Sequence, residues 1–313
     1  MRRRCTLADL TTKLGPLTLK NPVMTASGTF GYGVEYDQEF FPISELGAVV
    51  VKGIAPLPVH GNPTPRIAET VSGMINAIGL QGPGVDKFLH DPHYMPYLKK
   101  ANATVIVNMW GKKIEDYAYV AERLEQEKDG IAALEINVSC PNIKEGGISF
   151  GTNTESMKSV ISAVRKATTI PLITKLSPNV TRVADFAKAA EDAGSDMISL
   201  INTIPAMAID VETRRPKLAN VTGGLSGPCV KPVAIKMVYE AAQAVKIPVI
   251  GMGGIMTGLD AAEFLLAGAS AVAVGTAIFA DPYAPVRVIR ELNEYLDRHG
   301  IKQVSDLVGQ VII

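Results

Sequence analysis

The feature that most constrains this chain is a strand-then-helix alternation that repeats eight times from one end to the other. Short runs rich in Val, Ile, Thr and Leu occupy residues 22–26, 48–52, 104–108, 134–138, 172–176, 197–201, 249–251 and 271–274. Amphipathic segments lie between them at 85–99, 114–128, 154–167, 183–193, 231–245, 259–267 and 285–298, and the connection 35–46 is the least regular. A strand, a helix and a second strand in series pair in parallel. Eight such units match a closed ring better than an open sheet, so the expectation is an α/β protein with the (β/α)8 TIM-barrel architecture. The 313 residues fit one barrel of roughly 250 residues with extensions. No low-complexity linker divides them, and residues 1–313 read as a single domain.

Composition excludes several classes of function. Lys plus Arg number 31 and Asp plus Glu 31, so no global field favours nucleic acid or an anionic membrane surface. The longest apolar stretches, such as 271–280, are far short of the roughly 20 residues that span a bilayer. The start MRRRCTLADL lacks an apolar core, which argues against a secretory signal and for a cytoplasmic protein. Cys5, Cys140 and Cys229 are widely spaced with no CxxC pair, against a disulfide framework, a zinc site or an iron–sulfur cluster on this chain.

Polar residues recur where the apolar strands end: Lys52, Asn108, Asn137, Lys175 and Asn202. In a barrel all five face one mouth, where barrel active sites lie. Stability alone gives no reason to put them there, because an unpaired buried amine or amide costs several kcal/mol. Two connections, 53–84 and 202–227, leave the same face and are too long for simple turns, so they read as lids or binding loops. Just past the fourth strand, EINVSCPN (135–142) sets Cys140 over the mouth, where a thiol acts as a base or nucleophile; without a neighbouring His, proton abstraction is the better reading. Glu135 alternates with Leu134 and Ile136, which turns it inward towards a strand-end lysine.

The last two strands end in GMGGIMTG (251–258) and AVAVGTA (271–277). Glycines there let backbone N–H groups approach an anion, and barrels commonly hold a phosphate at these two loops. Ser226–Pro228 offers a further helix N-terminus. His60, His90, His93 and His299 lack ligand-like spacing and read as solvated, with no metal site. Trp110, Phe40 and Phe41 read as packing residues, and Arg2–Arg4 as a solvated terminus.

Taken together, these segments resemble the dihydroorotate dehydrogenases, flavin enzymes of pyrimidine synthesis built on this barrel. The resemblance runs through NPVMTASGTFG (21–31), VVVKG, NAIGLQGPG (76–84), NVSCPN, ITKLSPN (173–179), LINT (200–203), GGLSGP (223–228), GMGGI and VGTA. It implies one non-covalent FMN per chain, contacted by Ala26, Ser27, Lys52, Gly53, Asn108, Asn137, Lys175 and Ile201, with Gly227, Gly253, Gly254, Gly275 and Thr276 on the phosphate side. It also implies that substrate is held by Lys52, Asn76, Ala77, Ile78, Gly79, Leu80, Asn137, Asn142, Asn202 and Thr203. A planar diamide ring with a carboxylate matches a mouth of amides plus one cation. The implied catalytic residues are Cys140, which takes the C5 proton while hydride leaves C6 for the flavin, and Lys175, which stabilises charge at the flavin N1/O2 edge.

A cysteine in NVSCPN resembles the cytosolic class 1 enzymes, whereas membrane-associated class 2 enzymes use serine and carry an N-terminal extension. IKEGGISFGT (143–152) and INT resemble the NAD-linked class 1B branch more than the fumarate-using class 1A. That branch implies a partner subunit with FAD and a [2Fe–2S] cluster, a homodimer core within a heterotetramer, and no membrane or nucleic-acid partner. The competing readings are a fumarate-dependent class 1A enzyme, an FMN barrel acting on an uncharged dihydropyrimidine, a non-redox phosphate-binding barrel and an interaction scaffold.

Overall fold

In the computed structural model, which describes residues 8–138 and 150–313, the eight expected strands are all present. They are β1 (Val23–Thr25), β2 (Val49–Val50), β3 (Val105–Met109), β4 (Ile131–Asn137), β5 (Leu172–Lys175), β6 (Met197–Leu200), β7 (Val249–Met252) and β8 (Ala271–Val274). Each pairs in parallel with its sequence neighbour from β2 through to β8, and β8 pairs with β1. The ring closes between β1 and β2 through a parallel bridge, Met24 opposite Ala48. There Gly47 N donates to Val23 O at 2.8 Å, and Val50 N donates to Thr25 Oγ1 at 3.0 Å.

Alternate residues of a strand face opposite sides, and that parity sorts the barrel into two cores. Ile106, Ala133, Ile173, Met197, Ile250 and Ala271 pack in the interior, while Val105, Val107, Leu134, Ile136, Leu172 and Val272 pack outward against the helices. On β4 the inward series Ala133, Glu135, Asn137 therefore climbs from an apolar floor to a polar mouth.

The helices are α1 (Val34–Glu39), α2 (Val85–His90), α3 (Met95–Lys100), α4 (Ile114–Gln126), α5 (Thr154–Ala167), α6 (Val183–Asp192), α7 (Lys231–Ala244), α8 (Gly258–Leu266), α9 (Ala277–Ala280) and α10 (Ala284–His299). The expected single helix at 85–99 is two short ones. Asp91 precedes Pro92 and is extended, with ψ 129°, because the proline ring crowds a helical residue before it. The irregular segment 35–46 likewise divides at Pro42 into α1 and a 3-10 turn, Ile43–Glu45.

Two features go beyond the sequence expectation. An N-terminal hairpin, Thr12–Leu14 with Leu17–Leu19, buries Leu14 and Leu19 against the barrel floor. The two long connections are not separate loops. Ile67–Thr70 and Gly73–Asn76 from the first, and Ile204–Ala206 and Gly223–Ser226 from the second, form one antiparallel sheet in which Gly224 pairs with Asn76. Residues of this sheet and of the strand ends line one cavity at the C-terminal face.

Candidate active site

The cavity has a volume of about 940 Å³, at the upper end of the range for small-molecule sites. Its walls are the strand ends. Ala26 and Ser27 follow β1, Lys52 and Gly53 follow β2, Asn108 belongs to β3, Asn137 ends β4, Lys175 ends β5, and Ile201, Asn202 and Thr203 follow β6. The mouth sheet and the turn after it add Asn76, Ala77, Ile78, Gly79 and Leu80. Gly227, Gly253, Gly254, Gly275 and Thr276 line the remaining side. Residues separated by up to 250 positions thus meet because every parallel strand delivers its C-terminal end to the same face. Cys140 and Asn142 lie outside the described residues.

Below the mouth Glu135 is almost fully buried, and its carboxylate is held by neutral donors. Asn108 Nδ2 donates to Oε2 at 2.6 Å and Ser199 Oγ donates to Oε1 at 2.7 Å. Charge-assisted bonds of this kind fix the Asn108 amide on one side. Tyr117 donates its hydroxyl to the Asn137 carbonyl at 3.0 Å from outside the barrel. Asn202 Oδ1 accepts from Thr203 N at 2.8 Å, and Asn76 Nδ2 donates to Gly224 O at 3.3 Å within the mouth sheet, joining the strands of the two long connections.

Lys52 stands apart from these networks. Among the described residues its ammonium has neither an ion-pair nor a hydrogen-bond partner, and it is held below the ordinary lysine value of 10.5, chiefly by burial and then by the neighbouring Arg66. A half-buried cation without a counter-charge is an anion site. The amides around it supply the neutral donors and acceptors that a planar polar ring requires.

A second anion site is built from backbone. Gly253, Gly254, Gly275 and Thr276 line the cavity and, among the described residues, none of their N–H groups donates to a protein acceptor. Half-buried backbone donors without protein acceptors, mostly on glycines that carry no Cβ to block an approaching anion, make a cradle that fits a phosphate. The N-terminus of α8 is not part of it. Asp260 Oδ2 accepts from Met256 N and Thr257 N, at 2.9 and 2.8 Å, and Thr257 Oγ1 accepts from Asp260 N at 3.2 Å. The expectation of a free helix N-terminus at Ser226–Pro228 is corrected in the same way. Cys229 N and Val230 N already donate to Ser72 O and Gly227 O, and the Ser226 hydroxyl instead accepts from Thr276 Oγ1 at 2.8 Å.

Trp110 is buried, as expected of a packing residue, but it also forms part of the cavity wall, and its Nε1 meets no acceptor among the described residues. Phe41 is core, whereas Phe40 is partly exposed and stands edge-on to Tyr283. Thr222, Met256 and Phe279 also line the cavity; no strand-end signal marks them. All four histidines are exposed.

Comparison with known proteins agrees with this geometry. The family model described as dihydroorotate dehydrogenase matches residues 9–296. Relatives from Citrifermentans bemidjiense, Geobacter sulfurreducens and Bacteroides fragilis, each named dihydroorotate dehydrogenase B (NAD(+)), catalytic subunit, are 54%, 55% and 53% identical. The matches cover 96–97% of this chain and 97–99% of theirs. The crystal structure of a dihydroorotate dehydrogenase from Eimeria tenella in complex with ferulenol superposes with a TM-score of 0.78 at 27% identity, over 96% of this chain and 88% of that one. With a match along almost its whole length and a barrel whose strand ends converge on one cavity, the chain belongs to the dihydroorotate dehydrogenase family.

Proposed function

We propose that this chain is the catalytic subunit of an NAD-linked dihydroorotate dehydrogenase, oxidising (S)-dihydroorotate to orotate in pyrimidine synthesis. The observation that carries the reading is that Lys52, a cation without an ion-pair partner among the described residues, lines one cavity together with Asn76, Asn137 and Asn202 and with the backbone of Gly253, Gly254, Gly275 and Thr276. The cation answers the substrate carboxylate, the amides answer the ring, and the cradle answers the phosphate of FMN. An uncharged dihydropyrimidine gives Lys52 no counter-charge, which disfavours that alternative.

FMN, when bound, supplies the two-electron acceptor for the hydride that leaves C6. The chain's own residues do the rest. Lys52 and the amides fix the ring, and Cys140, on the segment after β4, removes the proton from C5. Lys175 keeps a positive charge in the barrel wall at the end of β5, favouring negative charge that develops beside it. Electrons then pass to a separate subunit carrying FAD and a [2Fe–2S] cluster, and from there to NAD⁺. We place two copies of this chain at the core of a heterotetramer in the cytoplasm. Among the described residues no helix is long and apolar enough to cross a membrane.

The test is the visible absorbance of the purified protein. A flavin spectrum that bleaches when dihydroorotate is added without oxygen is expected. A colourless protein, or a flavin that dihydroorotate leaves oxidised, would sink the assignment.

A further inference from the structure

Behind the phosphate cradle lies a charged cluster that neither the motifs nor the reaction uses. Lys231, the first residue of α7, places its Nζ 2.6 Å from Asp260 Oδ1 and 2.6 Å from Glu263 Oε2, both on α8. Asp260 is the residue whose second oxygen caps residues 256–257. Lys231 also touches the cradle itself. A Cβ on Gly254 would lie 2.8 Å from Lys231 Cβ and 2.8 Å from Gly227 O, so the backbones of the two segments are in direct contact. The turn containing Gly227 is stitched at its other end to the last cradle loop, through Ser226 and Thr276.

Electrostatics gives the lysine a second task. Without it, Asp260 and Glu263 present two uncompensated carboxylates on the helix that follows the 253–256 loop. Burial opposes the charge on Lys231, but its hydrogen bonds to Asp260 and Glu263 outweigh this and hold it above its ordinary value.

We propose that Lys231 is a positioning residue that gives the flavin site its preference for a phosphorylated ligand. It fixes the 253–256 loop against the Gly227 turn and cancels the two carboxylates behind that loop. The inference rests on the flavin reading of the cavity and deepens it.

The test titrates the deflavinated full-length chain with FMN and with riboflavin, following quenching of Trp110, the single tryptophan of the sequence, which stands in the cavity wall. Lys231→Met is expected to lower the preference for FMN over riboflavin by at least about tenfold, with riboflavin affinity nearly unchanged, and Lys231→Arg to restore most of it. Equal weakening of both ligands would mark a merely structural lysine, and an unchanged preference would mark an idle one; either overturns the proposal. Should Lys231→Met fail to fold, Glu263→Gln removes only a half-exposed carboxylate and is expected to keep or raise the FMN preference, whereas a fall overturns the proposal. If the unmodified chain binds neither flavin, the functional reading itself fails; if it binds FMN and only the variant ratios hold steady, the Lys231 inference fails alone.

Discussion

Two side chains carry the sharpest residue-level expectations. Replacing Cys140 by Ser substitutes a far weaker base, so flavin reduction by dihydroorotate should slow by roughly 10²–10⁴-fold while FMN stays bound. In the parent protein the same rate should climb from neutral into alkaline pH, because an ordinary thiol titrates at about 8.5. Stopped-flow reduction measures both, and a near-normal serine variant would remove the thiol from the chemistry. Lys52 makes a different trade. Its charge is a burden to the fold, because burial and then Arg66 hold its pKa below the usual lysine value. Lys52→Met should therefore raise Tm at neutral pH while weakening orotate binding severely. The sign follows from the lowered value: as pH rises through it the ammonium loses its proton, the burden lifts, and the Tm gap between variant and parent should narrow. Orotate affinity of the parent should decline over that same rise, and that decline should be missing from the variant. A variant no more stable than the parent, or one that binds orotate normally, contradicts this account.

Among the elements, the antiparallel sheet over the mouth depends on close backbone approach. A Cβ on Gly224 would fall 2.0 Å from Thr203 Oγ1 and 2.5 Å from Thr203 Cβ. Gly224→Ala should thus push Thr203 out of position and raise KM for dihydroorotate by about ten- to a hundredfold, since small misplacements at a site are costly. Bound flavin absorbance should be unchanged, and an unaltered KM would show that Thr203 does not face substrate. This sheet was the part least legible in the sequence. Its strands are three or four residues long, too short for an alternating pattern to register, and its central pairing of Asn76 with Gly224 joins segments 148 positions apart. The barrel strands were legible for the opposite reason: both faces of each strand are buried, so apolar runs such as Val105–Val107 and Ala271–Val274 stand out against their polar flanks. The break at Pro92 was also written in the sequence, in the proline itself. Trp110 was not, because an indole beside a strand end looks the same whether its back or its edge faces a cavity. Lys231 escaped notice because its partners Asp260 and Glu263 sit on a helix about thirty residues away.

At the scale of the whole molecule, electrons delivered into this barrel need an exit. The chain has no GxGxxG dinucleotide fingerprint, and Gly253 and Gly254 of GMGGIMTG line the barrel's own cavity. The isolated chain should reduce artificial acceptors with dihydroorotate yet leave NAD⁺ untouched until the FAD and iron–sulfur subunit is added. Formation of NADH by the chain alone would overturn the two-subunit account, and brisk fumarate reduction would favour the class 1A reading.

The barrel is also a hoop with one thin joint. Between β5 and β6, or β7 and β8, three residue pairs are in register, but β1 and β2 meet through the single bridge of Met24 and Ala48. The chain leaves that joint on one side as Ala26 and Ser27 and on the other as Lys52 and Gly53, all four on the cavity wall. A ligand gripped by both sides is a splint across the joint, so loading the cavity should lock the hoop mechanically as well as equip it chemically. Deuterium exchange should show this as slower exchange at the Thr25 and Gly47 amides on FMN loading, with little change along β5 and β6. The same splint would make flavin a late closure in assembly, taken up by a ring that is otherwise complete.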